Sequence, residues 1–425
     1  MHKKTILKNG LRVLTERLDS TKAVTVLILV KAGSRCETER IRGISHFLEH
    51  MFFKGGDKYP DTKAVSETID GIGGEFNAFT GKEYVGYYVK VASEHRNVAM
   101  DVMADMLITA KHDPVEIDKE RGVIMEEYNM YQDTPMYQVG WDFEKLLFGD
   151  QPLGWDQIGL KDVIMSVTRE DFKAYQDTLY RPDNMVVIVA GEVDHDEVVA
   201  EVERLFPMEA RSTTFKWNGL ESNRDSKRVI LQNKKTEQGH VVVGFPGVPA
   251  EHPDHWAMKL LAVVLGGNMS SRMFLGVREA KGLAYYIQSS TDDYADVGVI
   301  STRAGVDLKR VDDAVRGIVA EYKKVRDELV PEKELQKSKD YLKGKMVLKL
   351  EDSEEVAHLL GQHEVLFGTV RTAEEIAREV DKVTSADLQR AAQDLFRDDR
   401  LYLAGIGPWE DTGRFEALLR FSESS

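Results

Sequence analysis

Short runs of alternating apolar and polar residues flank Asn9-Gly10 in "TILKNGLRVLTER", which predicts two strands joined by a tight hairpin turn. The next run, "AVTVLILVKAG", is almost unbroken apolar and predicts a buried strand. A loop, "SRCETERIRG", leads into "ISHFLEHMFFKGG", where Phe47, Leu48, Met51 and Phe52 recur at helical spacing and Gly55-Gly56 mark the stop. A helix over "TKAVSETIDGIGG" follows, then a strand hairpin over "EFNAFTGKEYVGYYVKV" that turns at "TGKE", then a helix over "RNVAMDVMADMLIT". Asp113 as N-cap, Pro114 at the first helical position and Glu116 at the capping-box position predict a helix from 114 to about Tyr131. "NMVVIVAGEVDHDEVVAEVERLF" reads as a buried strand, a turn and a helix.

After this helix both periodicities fade, and residues 211–228 read as a linker between a domain at 1–210 and a second at 229–425. The second half repeats the plan of the first. "GHVVVGFPG" stands for "AVTVLILVKAG", "WAMKLLAVVLGG" for "SHFLEHMFFKGG", "GLAYYIQSSTDDYADVGVISTRAG" for the "EFNAFTGKEYVGYYVKV" hairpin, and "RLYLAGIGP" for "NMVVIVAGEV". The expected fold class is α+β, with two similar halves, each an antiparallel-rich sheet packed with helices. Where the first copy has His46, Glu49 and His50, the second has Met258, Leu261 and Ala262, ordinary core residues. The fold does not need the polar trio, so its presence in one copy asks for a chemical reason.

Composition narrows the chemistry. The 425 residues suffice for two or three domains, and 42% hydrophobic with 30% charged residues fits a globular chain rather than a disordered one. A formal charge of -15 argues against general nucleic-acid binding, which needs clustered Lys and Arg. No apolar run is long enough to span a membrane, and the early lysines lead into no apolar core of signal-peptide length, so a cytoplasmic protein is expected. The single cysteine, Cys36, fits a reducing compartment and leaves His, Asp and Glu as the ligands for any metal.

His46 and His50 stand four apart on one predicted helix, so both imidazoles can face one point. Zinc binds imidazole nitrogen at about 2.0–2.1 Å and, at a catalytic site, takes three protein ligands. Glu49 lies next to that face, where a carboxylate can act as a general base. Two histidines on an amphipathic helix are the alternative, because so short a pattern arises by chance in on the order of a few per cent of chains this long. Glu120 and Glu127, two helical turns apart on the helix after Pro114, are candidates for a third ligand; a charged, solvated helix face explains the same spacing. His95, His112, His195, His240, His252, His255, His358 and His363 lack matched ligands and are not assigned to metal. Gly73-Gly74 and Gly266-Gly267 precede no Lys-Ser or Lys-Thr pair and read as turns or helix ends, not phosphate loops.

The motif His46-Phe47-Leu48-Glu49-His50, with Glu127 77 positions after His50 and Glu120 seven before that, resembles the inverted zinc motif of the pitrilysin or insulinase-like peptidases. Almost the whole chain shares the resemblance, through "GGEFNAFTGKEYVGYYV", "ERGVIMEEYNMYQDTP", "LYRPDNMVVIVAGEV" and "NMSSRMFLGVREAKGLAYYIQSS". The length points to the short-chain branch, which includes bacterial processing proteases and the mitochondrial processing peptidase. The resemblance implies zinc on His46, His50 and Glu127, Glu49 as general base and Glu120 as a supporting carboxylate. It also implies Arg278 and Tyr285 as donors to the substrate carbonyl, and Asn77, Ala78 and Phe79 as an edge that pairs an extended peptide. A zinc endopeptidase acting on peptides or unfolded segments is therefore expected, as a homodimeric chamber in which Arg278 and Tyr285 serve the partner's zinc site. A non-catalytic peptide-binding or assembly subunit of the same fold is the alternative.

Overall fold

The computed structural model describes residues 2–221 and 227–421, so residues 222–226 of the expected linker lie outside the described residues. The chain divides into two compact units. Unit 1 holds Met1–Asn129, Asp156–Asn218 and Met346–Ala373; unit 2 holds Met130–Trp155, Gly219–Lys345 and Glu374–Ser425. The division thus differs from a single cut at 211–228, because each unit includes a segment from the other half of the sequence.

Unit 1 is built on strands β1 (Lys3–Ile6), β2 (Arg12–Arg17), β3 (Ala23–Val30), β4 (Glu75–Thr80), β5 (Val85–Ala92) and β6 (Met185–Gly191). Their order is β1-β2-β6-β3-β5-β4, and only the β2–β6 pair is parallel. Unit 2 is built on β7 (Val229–Asn233), β8 (Gly239–Pro246), β9 (Ala284–Asp293), β10 (Gly298–Val306) and β11 (Tyr402–Gly407). Their order is β7-β11-β8-β10-β9, again with one parallel pair, β7–β11. Apart from β1, the two sheets match strand for strand, as the sequence repeat predicts. The hairpin at Asn9-Gly10 closes through Gly10 N–H to Leu7 O at 2.9 Å, with Gly10 at φ +95°.

The exchanged segments are helices that the strand and helix patterns above leave unassigned. The helix Ser353–Phe367 lies on the sheet of unit 1, where its Val356, Ala357, Leu360 and Val365 pack on Leu27 and Leu29 of β3 and Val186 and Ile188 of β6. The helix Pro135–Phe148 does the same in unit 2, with Val139, Phe143 and Leu147 against Val242 of β8 and Ala404 and Ile406 of β11. On its other face β3 meets the helix Arg96–Ile108. With both faces covered, β3 needs apolar residues at successive positions, which is why "AVTVLILV" does not alternate. Each large aliphatic side chain buried there contributes about 1.5–3 kcal/mol.

Glu364 fixes the borrowed helix in unit 1. Its side chain is fully buried and pairs with Lys4 Nζ at 2.6 Å and Arg12 Nη1 at 3.4 Å, while Arg12 also donates to Glu364 O at 2.8 Å. A second buried carboxylate holds the helix Ile44–Phe52. That helix starts at Gly43, φ +97°, where an added Cβ would meet Ile158 O at 2.7 Å, so the position is closed to other residues. Gly43 has no side chain to cap the helix. Glu37 does so from the preceding loop, accepting from Gly43 N–H at 2.7 Å and Ser45 N–H at 2.9 Å. Burial pushes the Glu37 carboxyl up to about 7, against the same hydrogen bonds, which favour its charge.

Two outcomes follow. Glu364→Ala removes the buried carboxylate that Lys4 and Arg12 share, while both cations keep some contact with solvent, and should destabilise the protein by about 1.5–3 kcal/mol in urea denaturation; a loss under about 1 kcal/mol would show that the pairs contribute little. Glu37 is harder to ionise in the fold than in the unfolded chain. Its contribution to stability is therefore greatest below the ordinary value of 4.5 and is lost as pH rises to about 7. Denaturation series at intervals over that window should show a more negative slope of stability against pH in the wild type than in Glu37→Gln. Equal slopes would mean that Glu37 titrates normally. The slope is the readout, because the amide also alters the cap itself.

Candidate metal centre

The helix Ile44–Phe52 is amphipathic, with Phe47, Leu48, Met51 and Phe52 buried and His46, Glu49 and His50 half-exposed on the opposite side. The helix Pro114–Gln132 faces it in unit 1. Asp113 starts that helix, its carboxylate accepting from Val115 N–H at 2.8 Å, while Glu116 accepts from Lys119 Nζ at 2.6 Å. Ile117, Glu120 and Ile124 form its buried side, and Glu127 sits half-buried one turn further on.

One donor atom from each of His46, His50 and Glu127 lies within 4.8 Å of the others. His46 Nε2 is 3.5 Å from Glu127 Oε1, and His50 Nε2 is 3.5 Å from Glu127 Oε2. Two donors about 2.0–2.1 Å from a tetrahedral zinc stand about 3.4 Å apart, so the spacing fits that ion, as does the mixed nitrogen and oxygen donor set. The imidazoles meet edge to face, their centroids 4.7 Å apart. Behind His50, Glu120 Oε1 lies 2.9 Å from Nδ1, and Lys54 pairs with the other carboxylate oxygen. His46 Nδ1 is buried and has no hydrogen-bond partner among the described residues.

The charges are arranged to suit a cation. Hydrogen bonds with His46 and His50 hold the Glu127 carboxyl well below its usual range. Burial opposes the charge on Glu120, but its bonds to His50 and Lys54 outweigh that and hold its pKa down. Burial likewise opposes a charged His50, yet Glu120 and Glu127 raise its pKa to about 9. The same carboxylates supply negative charge that a divalent ion held by these ligands would neutralise.

Glu49 accepts a hydrogen bond from Thr80 Oγ1 at 2.5 Å. Thr80 ends β4, the edge strand of the sheet, which also carries Asn77, Ala78 and Phe79 and packs against the helix Ile44–Phe52. Asn77 is exposed; Phe79 lies across the sheet from Gly86, over whose Cα its ring fits, and contacts Tyr84 and His358. Unit 1 thus brings together His46, Glu49, His50, Glu120 and Glu127 beside an open strand edge. Arg278 and Tyr285 are in unit 2. Arg278 lies in the π-helical segment Phe274–Glu279, its guanidinium 4.5 Å from the centroid of the Phe274 ring, and Tyr285 is the second residue of the edge strand β9, with 64% of its surface exposed.

Sequence patterns did not reveal Glu37, Lys54 or Thr80. Lys54 offered a signal, one helical turn beyond His50; Thr80 offered none, since its contact spans 31 residues. Two histidines outside the trio serve structure: His195 bridges the Thr5 and Thr15 hydroxyls at 2.8 Å each, and His112 meets Gln176 at 2.7 Å. In unit 2, Met258, Leu261 and Ala262 are buried in the core. No helix among the described residues is long and apolar enough to cross a membrane.

Comparison with known proteins identifies the family. Residues 12–149 match the family described as insulinase (peptidase family M16), and residues 166–342 match the peptidase M16 inactive domain. The uncharacterized zinc protease YmxG of Bacillus subtilis is 36% identical over 409 residues, 96% of this chain and 98% of its own. A protease from Helicobacter pylori of known structure superposes with a TM-score of 0.87 at 24% identity, covering 96% of this chain and 99% of its own. A chain of complex III2 from Candida albicans superposes with a TM-score of 0.85 at 16% identity, over 98% and 99% of the two chains. These last two likenesses show a shared fold. Relatives named zinc proteases are consistent with zinc as the cofactor. On these matches the chain belongs to peptidase family M16.

Proposed function

We propose that this chain is a zinc-dependent endopeptidase that hydrolyses peptides or unfolded segments. The observation that carries the reading is the convergence of His46, His50 and Glu127 beside Glu49 and the open edge of β4. In this reading His46, His50 and Glu127 hold zinc, and Glu120 orients His50 through Nδ1. When bound, zinc supplies Lewis acidity, which makes water a better nucleophile near neutral pH and polarises the scissile carbonyl. Glu49 takes a proton from the attacking water and returns it to the leaving amine. An extended substrate adds to β4 through its backbone, with Asn77, Ala78 and Phe79 along the paired edge. Arg278 and Tyr285 donate hydrogen bonds to the oxyanion as charge develops there.

The proposal includes a homodimer in which Arg278 and Tyr285 act at the partner's zinc site and two chains enclose the substrate. It also includes a cytoplasmic setting, on the strength of the lone Cys36. Enclosure would select by access and by how readily a substrate extends, so the substrate class is peptides and unfolded segments rather than folded domains.

Purified protein given a mixed set of peptides of about 10 to 40 residues, long enough when extended to run past β4, should cleave them. Glu49→Gln should lose at least about 100-fold in kcat while zinc content, measured by mass spectrometry of the metal, stays the same. Zinc-loaded wild type that cleaves nothing would favour the assembly-subunit reading. The dimer has its own test in complementation. Co-expressed Glu49→Gln and Arg278→Ala chains, each inactive alone, should recover about a quarter of wild-type activity, because half of randomly formed dimers contain one intact site. No recovery in mixed dimers would place all the working groups of a site in one chain.

A further inference from the structure

We propose that Thr80 is a positioning residue, whose hydroxyl sets the direction of the Glu49 carboxylate. This rests on the peptidase reading of the same site. Thr80 Oγ1 stands 2.5 Å from Glu49 Oε2, and it is the only hydrogen-bond partner of Glu49 among the described residues. A hydroxyl donating to a carboxylate forms a charge-assisted bond, stronger than one between neutral groups. Glu49 has three rotatable side-chain bonds and sits half-exposed on its helix, so its backbone alone does not aim the carboxylate. Thr80 is better suited to fix a direction, because its β-branched side chain is stiff at χ1 and its backbone pairs with Val85 in the ladder.

The turn after Thr80 is itself anchored. Gly81 N–H closes it onto Tyr84 O at 3.0 Å, Gly81 O accepts from Ser34 N–H at 3.3 Å, and Lys82 O accepts from Arg35 N–H at 2.9 Å. Within it the buried Glu83 carboxylate pairs with the buried Arg35 guanidinium. The Thr80 backbone is therefore held by the sheet on one side and by the loop 33–36 on the other. The edge strand that faces an incoming peptide thus also aims the base, which fixes the base relative to a substrate backbone paired to that strand.

The test compares wild type, Thr80→Val, Thr80→Ala and Thr80→Ser with a cleaved peptide, beside Glu49→Gln. Val keeps the shape and β-branching without the donor; Ala guards against a Val variant that packs badly. Both should lower kcat by about 10- to 100-fold with KM and zinc content unchanged, since misplacement of a reacting group by about 1 Å costs that much. Thr80→Ser should restore kcat to within about threefold of wild type, which a merely structural role for the methyl group would not allow. A kcat within twofold of wild type in both variants overturns the proposal, as does a loss that Ser fails to rescue or that tracks lost zinc. Wild type active and Glu49→Gln inactive with Thr80→Val undisturbed would overturn this inference alone. An inactive wild type would overturn the peptidase reading, and this inference with it.

Discussion

A buried and a half-buried carboxylate on one face of a helix require positive charge opposite them, and the first unit is organised around meeting that requirement. Glu120 and Glu127 lie two turns apart on the helix Pro114–Gln132, and the groups they meet are His46 and His50, from one side of the helix Ile44–Phe52, and Lys54, from the turn that follows it. The polar side of one helix must therefore register with that of the other to within a turn. A slip of one residue would turn His46 and His50 away and leave the carboxylates in low dielectric without partners, a costly state. The same placement leaves a gap of the right size and charge for one divalent ion.

The helix Ile44–Phe52 is not held in register by its own residues alone. The helix Ile44–Phe52 starts where Gly43 passes within contact distance of Ile158 and Gly159, and Glu37 takes up the N–H groups that its first turn leaves open. Ser45, inside that turn, hydrogen-bonds Tyr175, whose hydroxyl also bonds to Gly33 N–H and Gly33 O, each at 3.1 Å. A buried polar network of this kind gives direction where apolar contact gives only proximity. The loop between β3 and the helix thus acts as a rigid mount, and its opposite end braces the turn that follows Thr80.

The two sheets share strand order and the place of their one parallel pair, which is what duplication of a single unit would leave. Their chemistry has diverged: one copy carries charged and imidazole side chains where the other has Met258, Leu261 and Ala262 packed in a core. Each sheet nevertheless has an open edge, β4 in one and β9 in the other, and in both units the residues with proposed roles in substrate handling lie on or next to that edge. An edge strand offers unpaired backbone groups to another chain, a hazard for aggregation and an opportunity for a peptide-binding enzyme.

Much of this was written in local sequence. The two strands at Asn9-Gly10, the buried run of β3, the helix that starts at Pro114 and the four matched segments of the repeat all follow from periodicity, caps and turn residues, which act over a few positions. His46 and His50 were legible for the same reason: a spacing of four on a helix converges by itself. The exchange of the helices Pro135–Phe148 and Ser353–Phe367 between units was not legible, because their apolar faces specify that they must be buried and not against which sheet. Glu37, Lys54 and Thr80 were missed because each acts through a contact that the fold creates, and a lone Glu, Lys or Thr has many ordinary roles. Residue types and short spacings determined which groups could bind a metal and break a peptide bond. Only the tertiary structure decided which carboxylates met the histidines and what held Glu49, since contacts between distant segments depend on how whole elements pack, and no short stretch of sequence encodes that.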